Sequence, residues 1–181
     1  MARKIRSRSP AKPPADLPIP AGFGTVTPHL VVEGGDAALE FYQKAFGAKL
    51  LMRRTAPDGR ILHARLRFGD SIVILSDAFP GSTMAAPSDP GSCRVTVHLY
   101  STDVDRLWSR AVQAGAKVAR PLENQFWGER YGQLLDPFGH RWSLAQPVRM
   151  HRAEKKVLQE QAMAMFARAA PPAGEEPAEP A

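Results

Sequence analysis

The side chains best suited to chemistry in this chain are two histidines that recur in one short pattern. Val26-Thr27-Pro28-His29-Leu30 and Val95-Thr96-Val97-His98-Leu99 agree at every place but the third, 69 residues apart. An imidazole can ligate a metal, accept a hydrogen bond or carry a proton near neutral pH. A second group, His63, Arg65 and Arg67, puts basic side chains at alternate positions, and the planar fork of a guanidinium matches carboxylate or phosphate. A third group, Trp127, Arg130 and Tyr131, joins ring faces to another fork and suits a small planar molecule. Nucleophilic chemistry is not indicated. Cys93 has no evident activating base, Ser143 lacks a Gly-x-Ser-x-Gly setting, and no phosphate-cradling loop is present.

The histidine pattern opens each copy of an internal duplication. Each copy continues through a helix-like stretch into Gly-Ala-Lys, at Gly47-Ala48-Lys49 and Gly115-Ala116-Lys117, and closes on a Phe-Gly turn, at Phe68-Gly69 and Phe138-Gly139. In the first copy, residues 25–32 read as a strand, Asp36 as the cap of a helix through Phe46 and Gly47 as its C′ residue; strands follow at 49–55, 61–68 and 71–76, with turns at Asp58-Gly59 and Gly69-Asp70. In the second, a strand at 94–100 leads to a helix from cap Thr102 to Ala114. A short strand near Val118, a strand at 129–135, the Asp136-Pro137-Phe138-Gly139 turn and a strand at 140–145 complete it. The implied fold is α+β: two tandem βαβββ repeats whose curved mixed sheets surround a central cavity, plus a C-terminal helix. Alternation places Leu62, Ala64, Leu66 and Phe68 under the helix, with Ile61, His63, Arg65 and Arg67 opposite. By the same parity Thr27, His29, Thr96, His98 and Tyr100 share the concave side.

A chain of 181 residues with 44% apolar content can bury one sizeable core, and its apolar runs are too short to cross a bilayer. Much of the net charge of +6 lies in residues 1–21, where five Lys or Arg face one acid among several prolines. That tail reads as disordered, without the apolar segment of a secretory signal. Lacking interleaved aromatics, it argues for a solvated tail and against nucleic acid as a partner. A single cysteine forms no intrachain disulfide and suits a reducing cytoplasm. Domain organisation follows: residues 22–147 as one domain, with repeats at 24–77 and 93–146, a C-terminal helix at 148–170 whose helix-forming stretch is 152–169, and a disordered Pro-, Ala- and Glu-rich tail at 171–181. The stripe Val157, Leu158, Gln161, Ala162 and Met165 makes that helix amphipathic and seeks an apolar partner, on the domain or a second subunit.

The paired repeats, the helix end Phe41-Tyr42-Gln43-Lys44-Ala45-Phe46-Gly47-Ala48 and the turn Asp136 to Gly139 resemble the vicinal oxygen chelate superfamily, the group of glyoxalases, bleomycin-resistance proteins and extradiol dioxygenases. Within it, Gln125-Phe126-Trp127-Gly128-Glu129-Arg130-Tyr131-Gly132 and Asp136 to Trp142 are similar to the PhnB-like branch. The resemblance spans residues 24–146 and implies a homodimer and a site between the repeats. Metalloenzymes of the group hold one divalent ion on residues from the first and last strand of each repeat. Those positions fall here on Thr27, Ile74, Thr96 and Ser143, which cannot replace imidazole and carboxylate ligands. His29 and His98, two residues further on, offer a displaced two-histidine alternative, with no carboxylate evident beside them.

The resulting expectation is a protein that binds a small, anionic organic molecule through His29, His63, Arg65, His98, Trp127, Arg130 and Tyr131, with no metal or other cofactor. Whether it catalyses a reaction stays open. A metal-dependent lyase, isomerase or dioxygenase is the alternative, and an antibiotic-binding resistance protein is a second.

Overall fold

The computed structural model describes residues 18–89 and 92–169. Most of the N-terminal tail and all of the C-terminal one lie outside the described residues. The first repeat runs β1 (His29–Val32), α1 (Gly35–Phe46), β2 (Lys49–Thr55), β3 (Ile61–Phe68) and β4 (Ser71–Asp77). The second runs β5 (Thr96–Tyr100), α2 (Val104–Gln113), β6 (Lys117–Gln125), β7 (Glu129–Leu135) and β8 (Arg141–Pro147), and α3 (Arg152–Ala169) follows. Each repeat forms one four-stranded mixed sheet, in the orders β1-β4-β3-β2 and β5-β8-β7-β6. The first strand of each repeat pairs in parallel with the last, and the other neighbours are antiparallel. These are the two expected βαβββ units and the C-terminal helix.

Several boundaries depart from the expected ones for identifiable reasons. Residues 25–28 carry a strand-like sequence yet lie outside β1, which begins at His29. The first helix is not capped by Asp36. Its cap is Gly34, at φ 83, and Asp36 instead pairs with Arg53 at 2.8 Å. The start of α1 is served from β4, where the buried Asp77 accepts from the Gly35 N–H at 2.7 Å and the Ile61 N–H at 2.6 Å. A Cβ at Gly35 would stand 2.6 Å from that carboxylate, so the close approach requires glycine. In the second repeat Asp103, not Thr102, caps α2, accepting from the Arg106 N–H. The face assignment in β3 also changes. Arg54 lies opposite His63 but Thr55 lies opposite Ile61, so Leu62 is an extra residue in a bulge; Ile61 turns inward and Leu62 is 51% exposed.

The two sheets meet through the sides that carry the helices. Trp142 of β8 stacks on Phe68 of β3 at 5.5 Å between ring centroids and packs at 4.7 Å and 5.4 Å on Phe46 and Tyr42 of α1. Such contacts cannot form across the width of one continuous sheet, in which neighbouring strands are spaced ~4.8 Å apart. Leu66, Leu75, Leu134 and Leu144 complete a single core shared by both repeats, each buried side chain contributing roughly 1.5–3 kcal/mol. Polar bonds cross the same junction. Asp136 Oδ2 accepts from the Tyr42 hydroxyl at 2.7 Å and the Trp142 indole at 2.8 Å, while its Oδ1 accepts from the Phe138 and His140 N–H groups. Burial, and then the Asp136 charge, push the Tyr42 phenol up, so it stays a donor. Arg110 donates to the Ala45 carbonyl at 3.0 Å, closing the α1–α2 contact.

The helix α3 lies against β6. Of its expected apolar stripe, Leu158 and Ala162 are partly covered, but Val157 is 51% and Met165 55% exposed. No described helix is long and apolar enough to cross a membrane.

Candidate functional site

With the helix-bearing sides joined, each sheet is left with one outer face. In the first sheet, antiparallel partners share a face: Lys49 with Arg67, Met52 with Arg65, Arg54 with His63, and Ile74 beside both Arg65 and His29. The outer face thus carries Lys49, Arg54, His63, Arg65, Arg67 and His29. The four strands hold a single carboxylate, Asp77, and it is buried on the backbone N–H groups described above. Burial, and then His63, lower the His29 pKa. Burial lowers that of His63 too, followed by the charges of Arg65 and Arg54. His63 Nε2 accepts from Arg65 Nε at 3.4 Å, and the Arg65 guanidinium lies 4.9 Å over the ring of Phe23. His29 Nε2 and Ser76 Oγ are 3.1 Å apart.

The second sheet's outer face is polar and aromatic. Registry puts Thr96, His98 and Tyr100 beside Arg141, Ser143 and Ala145, and Tyr131, Gln133 and Leu135 on the other flank of the same residues. His98 Nδ1 and Ser143 Oγ lie 2.7 Å apart. Glu129 accepts from the Tyr100 hydroxyl at 2.7 Å and the Trp127 indole at 2.9 Å. Gln133 donates to the Tyr131 hydroxyl at 2.7 Å, and the Arg120 guanidinium lies 5.7 Å from the Tyr131 ring centre. The hydrogen bond to Glu129, and then its charge, raise the Tyr100 pKa.

The seven residues singled out from the sequence therefore fall into three places. His29, His63 and Arg65 share the first sheet's outer face, and His98, Trp127 and Tyr131 share the second's. Arg130 alternates away from Tyr131 toward α2, where Asp105 takes its guanidinium through three contacts of 2.7–3.0 Å; that bond raises its pKa. Two grooves flank the core. One of about 980 Å³ runs along the edge of β5 between Thr96–Ser101 and the segment Gly22–Gly24. The other, about 660 Å³, follows the edge of β1 past Cys93 and His140. His98 lines the first and His29 the second; neither groove brings His63 or Arg65 together with His98, Trp127 or Tyr131.

The metal positions are sharpened by registry. Thr27 lies outside β1, with its hydroxyl on the Gly24 carbonyl, and the residues beside Ile74 and Ser143 are His29 and His98. An aliphatic side chain and a serine at the last-strand positions do not supply the carboxylate that a divalent ion requires there. Among the described residues no three His, Cys, Asp or Glu side chains converge to hold a metal. The residues present do not fit the group's ion. Sequence reading overlooked one carboxylate, Glu129, although its two-residue spacing from Tyr131 in β7 signals their shared face. It also overlooked Lys49 and Arg54, because the β2 bulges break the alternation that would have aligned them.

Comparison with known proteins places this geometry. A profile of the Glyoxalase/Bleomycin resistance protein/Dioxygenase superfamily matches residues 22–144. Uncharacterized protein Mb0911c of Mycobacterium bovis is 49% identical over 127 residues, covering 68% of this chain and 84% of that protein. The crystal structure of TioX from Micromonospora sp. ML1 aligns with a TM-score of 0.56 at 28% identity, over 69% of this chain and 100% of that one. A PhnB protein from Bacillus cereus aligns with a TM-score of 0.52 at 18% identity, over 68% and 99% of the two chains, a likeness of fold.

Proposed function

The chain belongs to the Glyoxalase/Bleomycin resistance protein/Dioxygenase superfamily, and from that premise we propose that it binds a small organic anion, without a metal, in a cleft that two copies of the chain build together. The observation that carries this reading is the first sheet's outer face. It gathers Lys49, Arg54, His63, Arg65 and Arg67, and no strand of the sheet offers a carboxylate to that face. Like charges held together repel one another, and an anion that accepts their donors relieves this while gaining charge-assisted hydrogen bonds of about 1.5–3 kcal/mol each. A cationic antibiotic is disfavoured by the same charges.

Two copies supply what one chain separates. Among the described residues β1 and β5 are edge strands with one unpaired side each, and the residues leading into them are open, Val26 at 87% and Val95 at 69% exposed. Pairing β1 of one copy with β5 of another extends each sheet to eight strands and turns the cationic face toward the aromatic one. The contact is reciprocal, so a two-fold dimer satisfies both edges and creates two equal clefts.

A thermal-shift screen of organic acids tests the anion reading, since a ligand that binds only the folded state raises its melting temperature. Arg65→Met keeps the aliphatic stem and removes the charge. It should weaken a stabilising acid by about tenfold or more, one lost charged contact, while leaving the melting temperature of the free protein nearly unchanged. No stabilising acid, or an affinity unaffected by Arg65→Met, would sink the reading.

A further inference from the structure

The anion reading uses the second sheet's face only as the opposite wall of the cleft and assigns no role to its rings, whose polar tips are already engaged. The Tyr100 hydroxyl and the Trp127 indole both donate to Glu129, one to each carboxylate oxygen, at 2.7 and 2.9 Å. The Tyr131 hydroxyl receives Gln133, and His98 meets Ser143. What these residues still present is ring surface, and it is open: Tyr100 is 64% and Trp127 44% exposed. Their mutual geometry is fixed as well. Trp127 stands edge-on to Tyr131 at 5.7 Å, Tyr100 edge-on to His98 at 4.6 Å, and His98 runs near-parallel to Tyr131 at 6.1 Å. Rings tethered in this way lose little freedom when something is laid on them.

We propose that the anion carries a flat aromatic ring, that this ring seats on Tyr100, Tyr131 and Trp127, and that Glu129 is the positioning residue that holds the wall. The inference rests on the small-molecule reading above and specifies the class of ligand. A cation is a poorer occupant of the same wall. Both Glu129 oxygens are committed to neutral donors, Arg120 lies over Tyr131 at 5.7 Å, and Arg141 shares the face. A saturated chain would bury apolar area there, but it gains nothing from the edge-to-face and offset geometries that aromatic pairs prefer.

Three probes of one skeleton test it: 2-naphthoate, its saturated analogue decahydro-2-naphthoate, and the neutral 2-naphthamide, each titrated by calorimetry with tryptophan fluorescence as a second readout. Naphthoate should bind about fivefold or more tightly than the saturated acid, the scale of an aromatic pair. In Glu129→Gln, which keeps one acceptor oxygen, that preference should shrink several-fold while the saturated acid and the melting temperature hardly change. Equal affinity for the two acids, or a Glu129→Gln variant that weakens both alike, overturns the proposal, as does failure of both naphthyl probes to bind. Naphthamide bound in a Glu129-dependent way when neither acid binds would uphold the ring wall and discard the anion. Acids bound without ring preference would do the reverse.

Discussion

Arg65 has its properties set by three neighbours. Phe23 covers one face of its guanidinium, Nε points at His63, and Met52 lies opposite it on the next strand, leaving the outer edge of the fork for an acceptor. His63 answers to the same surroundings. Burial and the adjacent arginines hold its pKa below the ordinary 6.5, and His29 is lowered for a similar reason. Free protein therefore keeps both rings neutral at pH 7. An anion docked beside them favours the charged form, so binding takes up protons, and affinity should rise as pH falls below about 6.5 while a carboxylate ligand stays ionised. Stability of the free protein has the opposite sign. The unfolded chain protonates these histidines first, so their contribution is complete above pH 6.5 and is lost as pH falls toward the lowered folded values. Calorimetry in two buffers of different ionisation enthalpy measures the uptake. His63→Gln should reduce it, and an uptake of zero in the wild type would separate His63 from the ligand.

At the scale of elements, the sequence was readable wherever local chemistry decides. The bounds of β2, β3, β7 and α3 and the glycine behind α1 follow from strand-like runs set between turn residues, helical spacing and the Gly47 cap. It misled where a distant group intervenes. Asp36 has every local mark of a cap, yet Asp77, 42 residues away from Gly35, takes that place. Leu62 has the parity of a buried residue until the bulge turns it out. Of the candidate site, residue types and strand faces were legible, and alternation already separates Arg130 from Tyr131, but its partner Asp105 in α2 was not. Asp77 supports a direct prediction. Asp77→Ala leaves two buried N–H groups unsatisfied, at about 1–3 kcal/mol each. The melting temperature should drop by roughly 5–15 °C for a chain of this size. A shift under about 2 °C in differential scanning calorimetry would mean that water or other groups replace the carboxylate.

For the whole molecule, the decisive feature is that one core joins the repeats by their helical sides and leaves two dissimilar faces apart, one cationic and one aromatic. Repeats that had stayed identical would have placed the same groups on both. Here the first strands still match, at His29 and His98, while their last-strand partners have become Ile74 and Ser143. The free edges of β1 and β5, and the exposed residues before them, fit a second copy as the occupant. A dimer is thus predicted at micromolar concentration by light scattering, and Val95→Lys, which sets a charge at that edge, should shift it toward monomer and weaken acid binding together.

Mixing two variants provides the most direct test of a cleft shared between copies, with Arg65→Met impairing the cationic face and Tyr131→Ala the aromatic one. Each homodimer should bind a screened acid weakly, because every cleft then contains one impaired face. Unfolded and refolded together in equal amounts, random pairing makes half of the dimers mixed, and each of these joins two intact faces in one cleft, so about a quarter of all clefts regain wild-type affinity. Titration calorimetry counts those sites. A high-affinity fraction near that value is the predicted result; a mixture that binds no better than its two components would place the whole site within a single chain.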